Sequence, residues 1–74
     1  MRLTKLCKAA DSGVTGCPTV YLDEESGQFV VQGDVLGEGD SRALENLLPG
    51  EAAVRLDADI VLGAVDRYRR AQGR

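Results

Sequence analysis

The segment 17–34 constrains the fold most, because it contains two strand-like runs joined by a short polar loop. Residues 19–22 and 28–32 are rich in β-branched and aromatic side chains, which favour β-strands. The loop 24–27 ends in Gly27, and glycine adopts positive φ angles without steric cost. A four-residue loop pairs Asp23 with Gln28. We therefore predict an antiparallel β-hairpin at the centre of the fold.

The two-residue period of a strand divides this hairpin into two faces. One face carries four apolar side chains and is predicted to be core: Val20, Leu22, Phe29 and Val31. The other face is mixed, with Thr19, Tyr21, Val30 and Gln32. Apolar side chains in its middle disfavour full exposure, so this face is predicted either to be covered by another element or to bind a partner. The pattern leaves open whether Tyr21 is a core or a contact residue.

The segments before and after the hairpin predict a loop, two further strands and a short helix. Weak alternation over residues 3–7 predicts an edge strand, and turn-forming residues make 10–16 a loop. Glycines at positions 33, 37 and 39 indicate an irregular crossing, which Val35 and Leu36 are expected to anchor to the core. Asp40 or Ser41 is the predicted N-cap of a helix over residues 42–48, with a stripe of Leu44, Leu47 and Leu48. A strand is predicted over residues 52–56.

The end of the chain has the pattern of a packed helix. Asp57 is the predicted N-cap of a helix from residue 58 to about residue 71, whose apolar stripe is Val61, Ala64, Val65 and Tyr68. The arginines near its end suit the negative pole of the helix dipole. The predicted fold class is thus α+β: one domain over residues 1–74 with a small antiparallel sheet built on a central hairpin, one short helix and a packed C-terminal helix.

The length of the chain, 74 residues, limits the core that it can build. A domain of this size buries only about 60% of the surface of its unfolded chain, so its stability is marginal and association would help. No apolar run approaches the roughly 20 residues of a membrane span, and the first residues lead into no signal-peptide core. We therefore expect a cytoplasmic location and no membrane partner.

The charges are distributed unevenly, although the net charge is only -3. Eleven of the twelve acidic residues lie between residues 22 and 66, where the only basic residues are Arg42 and Arg55, whereas both ends of the chain are basic. An acidic body repels the phosphate backbone, so direct binding of nucleic acid is not expected. The acidic surface is explained either by solubility or by attraction to a basic partner.

The residue inventory does not suggest catalysis. The chain has two cysteines, Cys7 and Cys17, and no histidine, so a mononuclear zinc site would need carboxylates or a second chain. In a reducing compartment both cysteines are expected to be half-buried apolar residues, with a labile disulfide or intersubunit pairing as the alternative. Neighbouring carboxylates such as Glu24 and Glu25 occupy a predicted surface loop. We expect no enzyme activity, no metal and no cofactor.

Two short stretches carry a resemblance to a known family. At residues 17–21, CPTVY, and 30–33, VVQG, the chain resembles the small acidic BldB-like proteins of actinobacteria, which are commonly encoded beside helix-turn-helix regulators of the WhiJ type. The resemblance implies a non-catalytic protein that modulates a partner transcription regulator, in developmental control or in an antitoxin-like pairing. Its partners would be the regulator and, in a homodimer, a second copy of the chain.

The residues expected to bind a partner lie on the mixed hairpin face, in the acidic hairpin loop and on the last helix: Tyr21, Val30, Gln32, Glu24, Glu25, Arg67 and Arg70. An alternative comes from residues 47–54, LLPGEAAV, which resemble the helix, turn and strand of AbrB-like swapped-hairpin antitoxins. That resemblance implies a DNA-binding dimer whose phosphate contacts are Arg67, Arg69 and Arg70. The net acidity argues against it.

Overall fold

The computed structural model describes residues 1–8 and 18–73 and has the predicted α+β fold. In chain order its elements are β1 (Leu3–Lys8), β2 (Thr19–Asp23), β3 (Gln28–Gln32), β4 (Asp34–Val35), α1 (Glu38–Ser41), β5 (Val54–Arg55) and α2 (Ala58–Gln72). The first three strands form one antiparallel sheet in the order β1-β2-β3, and β4 pairs with β5 in a second. The predicted loop at 10–16 and Cys17 lie outside the described residues.

The predicted hairpin register is confirmed. Strand β2 pairs with β3 so that Asp23 lies opposite Gln28 and Leu22 opposite Phe29. The loop closes with a hydrogen bond of 2.8 Å from the Gly27 N–H to the Asp23 carbonyl, and Gly27 has the expected positive φ of 76°. Loop length and two-residue alternation were therefore sufficient to specify the register.

A β-bulge in β1 supplies part of the core. The register with β2 shifts between Lys5 and Cys7, so Leu6 is the extra residue. Leu6 is only 7% exposed, and Cys7, a half-buried free thiol, packs against the same core. A bulge of this kind can direct two consecutive side chains to one face, here the face that α2 covers. The helix approaches closely because Gly63 has no side chain: a Cβ there would lie 2.8 Å from Cys7 Sγ.

The core lies between α2 and the first two strands. It consists of Leu6, Val20, Leu22, Ile60 and Ala64, with Leu56 and Tyr68 packed against it. The helix begins where predicted, with Asp57 at the N-cap position, but the Asp57 side chain makes no capping hydrogen bond and the inward face of the helix differs from the predicted stripe. Ile60 is buried, whereas Val61 is 42% exposed. Of the four predicted stripe residues, only Ala64 is fully buried.

The predicted core face is correct for β2 and wrong for β3. Val20 and Leu22 are 2% and 8% exposed, but their partners Val31 and Phe29 are 41% and 42% exposed. An α-helix with its side chains is about 10 Å wide, and strands are about 4.8 Å apart, so one helix covers roughly two strands. Helix α2 packs on β1 and β2 and leaves the apolar side chains of β3 largely uncovered.

The predicted helix over residues 42–48 does not form. The observed helix α1 is a single turn that begins two residues before Asp40, and turns follow it up to Asn46, which has a φ of 55°. Leu44, Leu47 and Leu48 are 40%, 40% and 58% exposed. A two-turn helix is unstable unless its apolar stripe packs on another element, and no element within residues 1–8 and 18–73 covers this stripe.

The neighbouring predictions also need correction. The strand predicted over residues 52–56 is only two residues long, Val54–Arg55. Val35 does not anchor the crossing to the core, because it is 71% exposed, whereas Leu36 is half-buried. A hydrogen bond of 2.9 Å from the Leu36 N–H to the Ala53 carbonyl extends the contact between β4 and β5. This part of the chain is therefore held by backbone pairing more than by side-chain burial.

Candidate partner-binding surface

The residues predicted to bind a partner lie in three separate places. Tyr21, Val30 and Gln32 lie on the sheet face turned away from α2, because they alternate with the core residues of β2 and with their partners. Glu24 and Glu25 are in the hairpin loop. Arg67 and Arg70 lie on α2, on the opposite side of the sheet from Tyr21. A single flat partner surface cannot contact both the tyrosine and the arginines.

The sheet face away from α2, which we call the tyrosine face, is partly covered. Tyr21 and Val30 lie opposite each other and are both half-buried. The Tyr21 hydroxyl donates a hydrogen bond of 3.0 Å to Gln32 Oε1, which fixes the outer end of the ring. On β1, Lys5 is the cross-strand neighbour of Tyr21. The result is an ordered aromatic side chain with a positive charge beside it.

The acidic hairpin loop is tied to the start of the chain. Glu24 Oε2 accepts a hydrogen bond of 2.6 Å from the Thr4 hydroxyl, and the Glu25 carboxylate lies 3.1 Å from the N-terminal ammonium group. These contacts are exposed, so each contributes little to stability. They do hold the loop in one place relative to β1, and the two glutamates remain accessible to a partner.

Asp23 organises this loop. Its carboxylate accepts hydrogen bonds from the Ser26 hydroxyl at 2.8 Å and from the backbone N–H groups of Glu25 and Arg2. These donors, the Ser26 hydroxyl first, hold the pKa of Asp23 below its ordinary value.

We expect the Asp23 contacts to make a small, acid-sensitive contribution to stability. Because the pKa is lower in the folded chain, the contribution is complete above the unfolded pKa and is lost as the pH falls through the folded pKa. In Asp23→Asn, the free energy of unfolding should therefore vary less with pH in the acid range. Urea titrations of both proteins at a series of acid pH values test this, with Asp34→Asn as the exposed control. Equal pH dependence in all three would contradict it.

The arginines of α2 are exposed and differ in their contacts. Arg70 forms an ion pair of 3.0 Å with Asp66, one turn earlier, and both side chains are mostly exposed. Such a pair stabilises a helix by only about 0.3–0.5 kcal/mol, so a competing partner can displace it at little cost. Arg67 is exposed as well. Both guanidinium groups are therefore accessible.

An apolar groove lies beside α2, built from residues that the sequence assigned to the apolar stripe of the last helix and to the core face of the hairpin. Val61, Val65 and Tyr68 are spaced i, i+4 and i+7 and share one flank of the helix. The Tyr68 ring meets the Phe29 ring edge-on, with centroids 5.3 Å apart and planes at 86°, so this flank is turned towards β3. With Phe29 and Val31, these three residues define what we call the β3 groove. The width of one helix relative to three strands was the signal that could have revealed it.

A cleft lies where β4 and β5 meet the start of β2. Its volume is about 300 Å³, and Pro18, Asp34, Arg55, Leu56 and Asp57 line it. Arg55 is already paired with Asp40 at 2.8 Å, and Asp34 and Asp57 are exposed. The charged groups of this cleft do not converge on a buried point, so its geometry is that of a surface depression.

Three further observations concern ligands, membranes and known proteins. Within residues 1–8 and 18–73, His, Cys, Asp and Glu side chains form no group of three or more that could hold a metal ion. None of the described helices is long and apolar enough to cross a membrane. Comparison with known proteins gave no match to a family model, a curated protein or a solved structure.

Proposed function

We propose that this chain is a non-catalytic regulatory protein of the cytoplasm that binds a basic transcription regulator and modulates its activity. The observation that carries the proposal is the combination of an exposed acidic surface with an ordered aromatic contact face. Nearly all acidic residues between positions 22 and 66 are exposed. The described ion pairs involve only Glu25, Asp40 and Asp66 of this set. The surface therefore retains most of its negative charge.

Charge complementarity makes a DNA-binding protein a suitable partner. A regulator that contacts phosphates carries clustered lysine and arginine side chains, and an acidic protein is attracted to the same cluster. Such attraction raises the association rate and selects partners more than it adds affinity. The affinity then depends on buried aromatic and apolar contacts, for which Tyr21 and its neighbours are the candidates. The resemblance to proteins encoded beside helix-turn-helix regulators points in the same direction.

The proposal is tested by co-purification followed by a binding titration. The tagged chain should retain a helix-turn-helix regulator from native cytosol, and the purified pair should bind more weakly as salt is raised. Tyr21→Ala should weaken binding about tenfold or more while the chain stays folded by circular dichroism. Val35→Ala is the matched control, because Val35 is an exposed apolar residue of the other sheet. A regulator that binds Tyr21→Ala and wild type equally would exclude the tyrosine face.

We also expect the isolated protein not to bind duplex DNA tightly at physiological salt. Non-specific affinity for DNA depends on lysine and arginine side chains that neutralise phosphates. The acidic segment between residues 22 and 66 repels the phosphates instead. In the segment 47–54, the turn is present, with a hydrogen bond of 2.9 Å from the Glu51 N–H to the Leu48 carbonyl, but residues 42–48 before it are not helical. A gel-shift titration of the isolated protein with duplex DNA tests this prediction. Submicromolar binding that is lost in Arg67→Ala/Arg70→Ala would favour the AbrB-like alternative.

A further inference from the structure

We propose that a second copy of this chain pairs with the outer edge of β3. The two β3 strands would run antiparallel, related by a twofold axis midway between the two copies of Val30. This pairing would join two three-stranded sheets into a single six-stranded sheet. In the described part of the chain, β2 is the only strand that pairs with β3, and the other edge of β3 is unpaired among these residues. The inference is independent of the proposed regulator, because it concerns the isolated chain.

The two edges of the sheet differ in a way that singles out β3. Natural edge strands are protected from pairing by lysines and by bulges. Strand β1 has both protections, with Lys5 and Lys8 along it and a bulge at Leu6. Strand β3, with the sequence QFVVQ, has no charged residue, no proline and an uninterrupted register with β2. The unprotected edge is therefore the one suited to pairing.

The sequence of β3 is complementary to itself. In antiparallel pairing about Val30, each Phe29 lies opposite Val31 of the second copy, and each Gln28 lies opposite its Gln32. Apolar side chains thus meet apolar ones, amides meet amides, and no like charges face each other, as stable cross-strand pairs require. The same patch serves both copies, which is the condition for a closed twofold interface.

The surface area of the chain supports a partner of this size. A compact monomer of 7.9 kDa exposes about 4,400 Å², whereas this chain exposes 5771 Å². Its radius of gyration is 13.7 Å, compared with about 11 Å for a compact domain of 74 residues. The excess area exceeds the roughly 800 Å² that each partner buries in a standard interface. This excess is spread over the whole chain, and the exposed apolar side chains of β3 contribute to it.

The twofold axis also determines where the β3 grooves lie. An axis perpendicular to the sheet keeps both α2 helices on the same face of the joined sheet. The two β3 strands then form a continuous apolar floor between the helices, built from Phe29 and Val31 of both copies. Residues that are about two-fifths exposed in the monomer thereby become neighbours across the axis.

Cysteine cross-linking tests the register. In a Cys7→Ala/Cys17→Ala background, Val30→Cys places two thiols opposite each other on the axis, at a separation that a disulfide can span. Mild oxidation should convert this variant to a covalent dimer. Lys5→Cys is the matched control, because Lys5 lies on the same sheet face at the protected edge, and it should remain monomeric under denaturing electrophoresis. Equal cross-linking of both variants, or none at position 30, would overturn the proposal.

Sedimentation equilibrium provides a second test that needs no oxidation. The wild-type chain should sediment as a monomer–dimer equilibrium, and Val30→Lys, which sets two lysines opposite each other, should weaken it about tenfold or more. Lys5→Ala should leave it unchanged. A monomeric wild type, an open-ended assembly, or a dimer insensitive to Val30→Lys in folded protein would each contradict pairing of β3 about this axis.

Discussion

Replacing Leu22 with alanine should lower the free energy of unfolding by about 2–5 kcal/mol, a large fraction of the total stability of so small a domain. Leu22 is 8% exposed and packs within a core of only five buried apolar residues. A domain of this size has roughly 4–11 kcal/mol of stability in total, and none of its large side chains in the described ranges is below 2% exposure. The cavity left by the substitution therefore removes a large part of the apolar packing between the sheet and α2.

Phe29→Ala is the informative comparison, because the alternation pattern assigned both residues to the core. Phe29 is 42% exposed, and its main described contact is the edge-on ring of Tyr68, an interaction worth about 0.5–1.5 kcal/mol beyond its buried area. We expect Phe29→Ala to lower the free energy of unfolding by about half as much as Leu22→Ala does. Truncation of a fully buried phenylalanine would typically cost about 3–5 kcal/mol. Urea unfolding midpoints, measured at a protein concentration at which both variants sediment as monomers, show which substitution is the more destabilising. A larger loss for Phe29→Ala would mean that β3 is covered within one chain.

The second large effect is expected at Gly33, between β3 and β4. A Cβ at this position would lie 2.5 Å from the backbone carbonyl oxygen of Arg55 and 3.2 Å from Leu56 Cδ2. A backbone atom cannot move aside as a flexible side chain can, so Gly33→Ala must displace β5. We expect a loss of about 1–3 kcal/mol, as for other substitutions that force backbone shifts. The displacement also reaches Leu56, which packs against the core just before α2 begins.

Gly37→Ala is the matched control for this prediction. Gly37 has no heavy atom within 4 Å of an added Cβ, and its φ of -72° suits any residue. Its replacement should be neutral or stabilising by about 0.4–1 kcal/mol, because alanine restricts the unfolded chain. Thermal unfolding of both variants gives the comparison. If Gly33→Ala were as stable as Gly37→Ala, β5 would not be held against the β3–β4 corner as the structure describes.

The sequence predicted the elements whose signals are local. The hairpin register followed from a four-residue loop and two alternating runs, and Asp57 marked the start of α2 correctly. Predictions failed where the outcome depended on a surface that a distant element had to supply. The leucines of residues 42–48 have helical spacing, but no described element offers them an apolar surface, and the helix is absent.

In the candidate site, too, the local pattern predicted which residues share a face but not which of them are buried. Alternation placed Tyr21, Val30 and Gln32 on one face and Val20, Leu22, Phe29 and Val31 on the other, because the period of a strand is a property of the local backbone. Only the tertiary structure decided which apolar residues are buried. One helix is too narrow for three strands, and α2 packs on β1 and β2. Phe29 and Val31 therefore remain exposed beside the edge of β3 that no described strand pairs with.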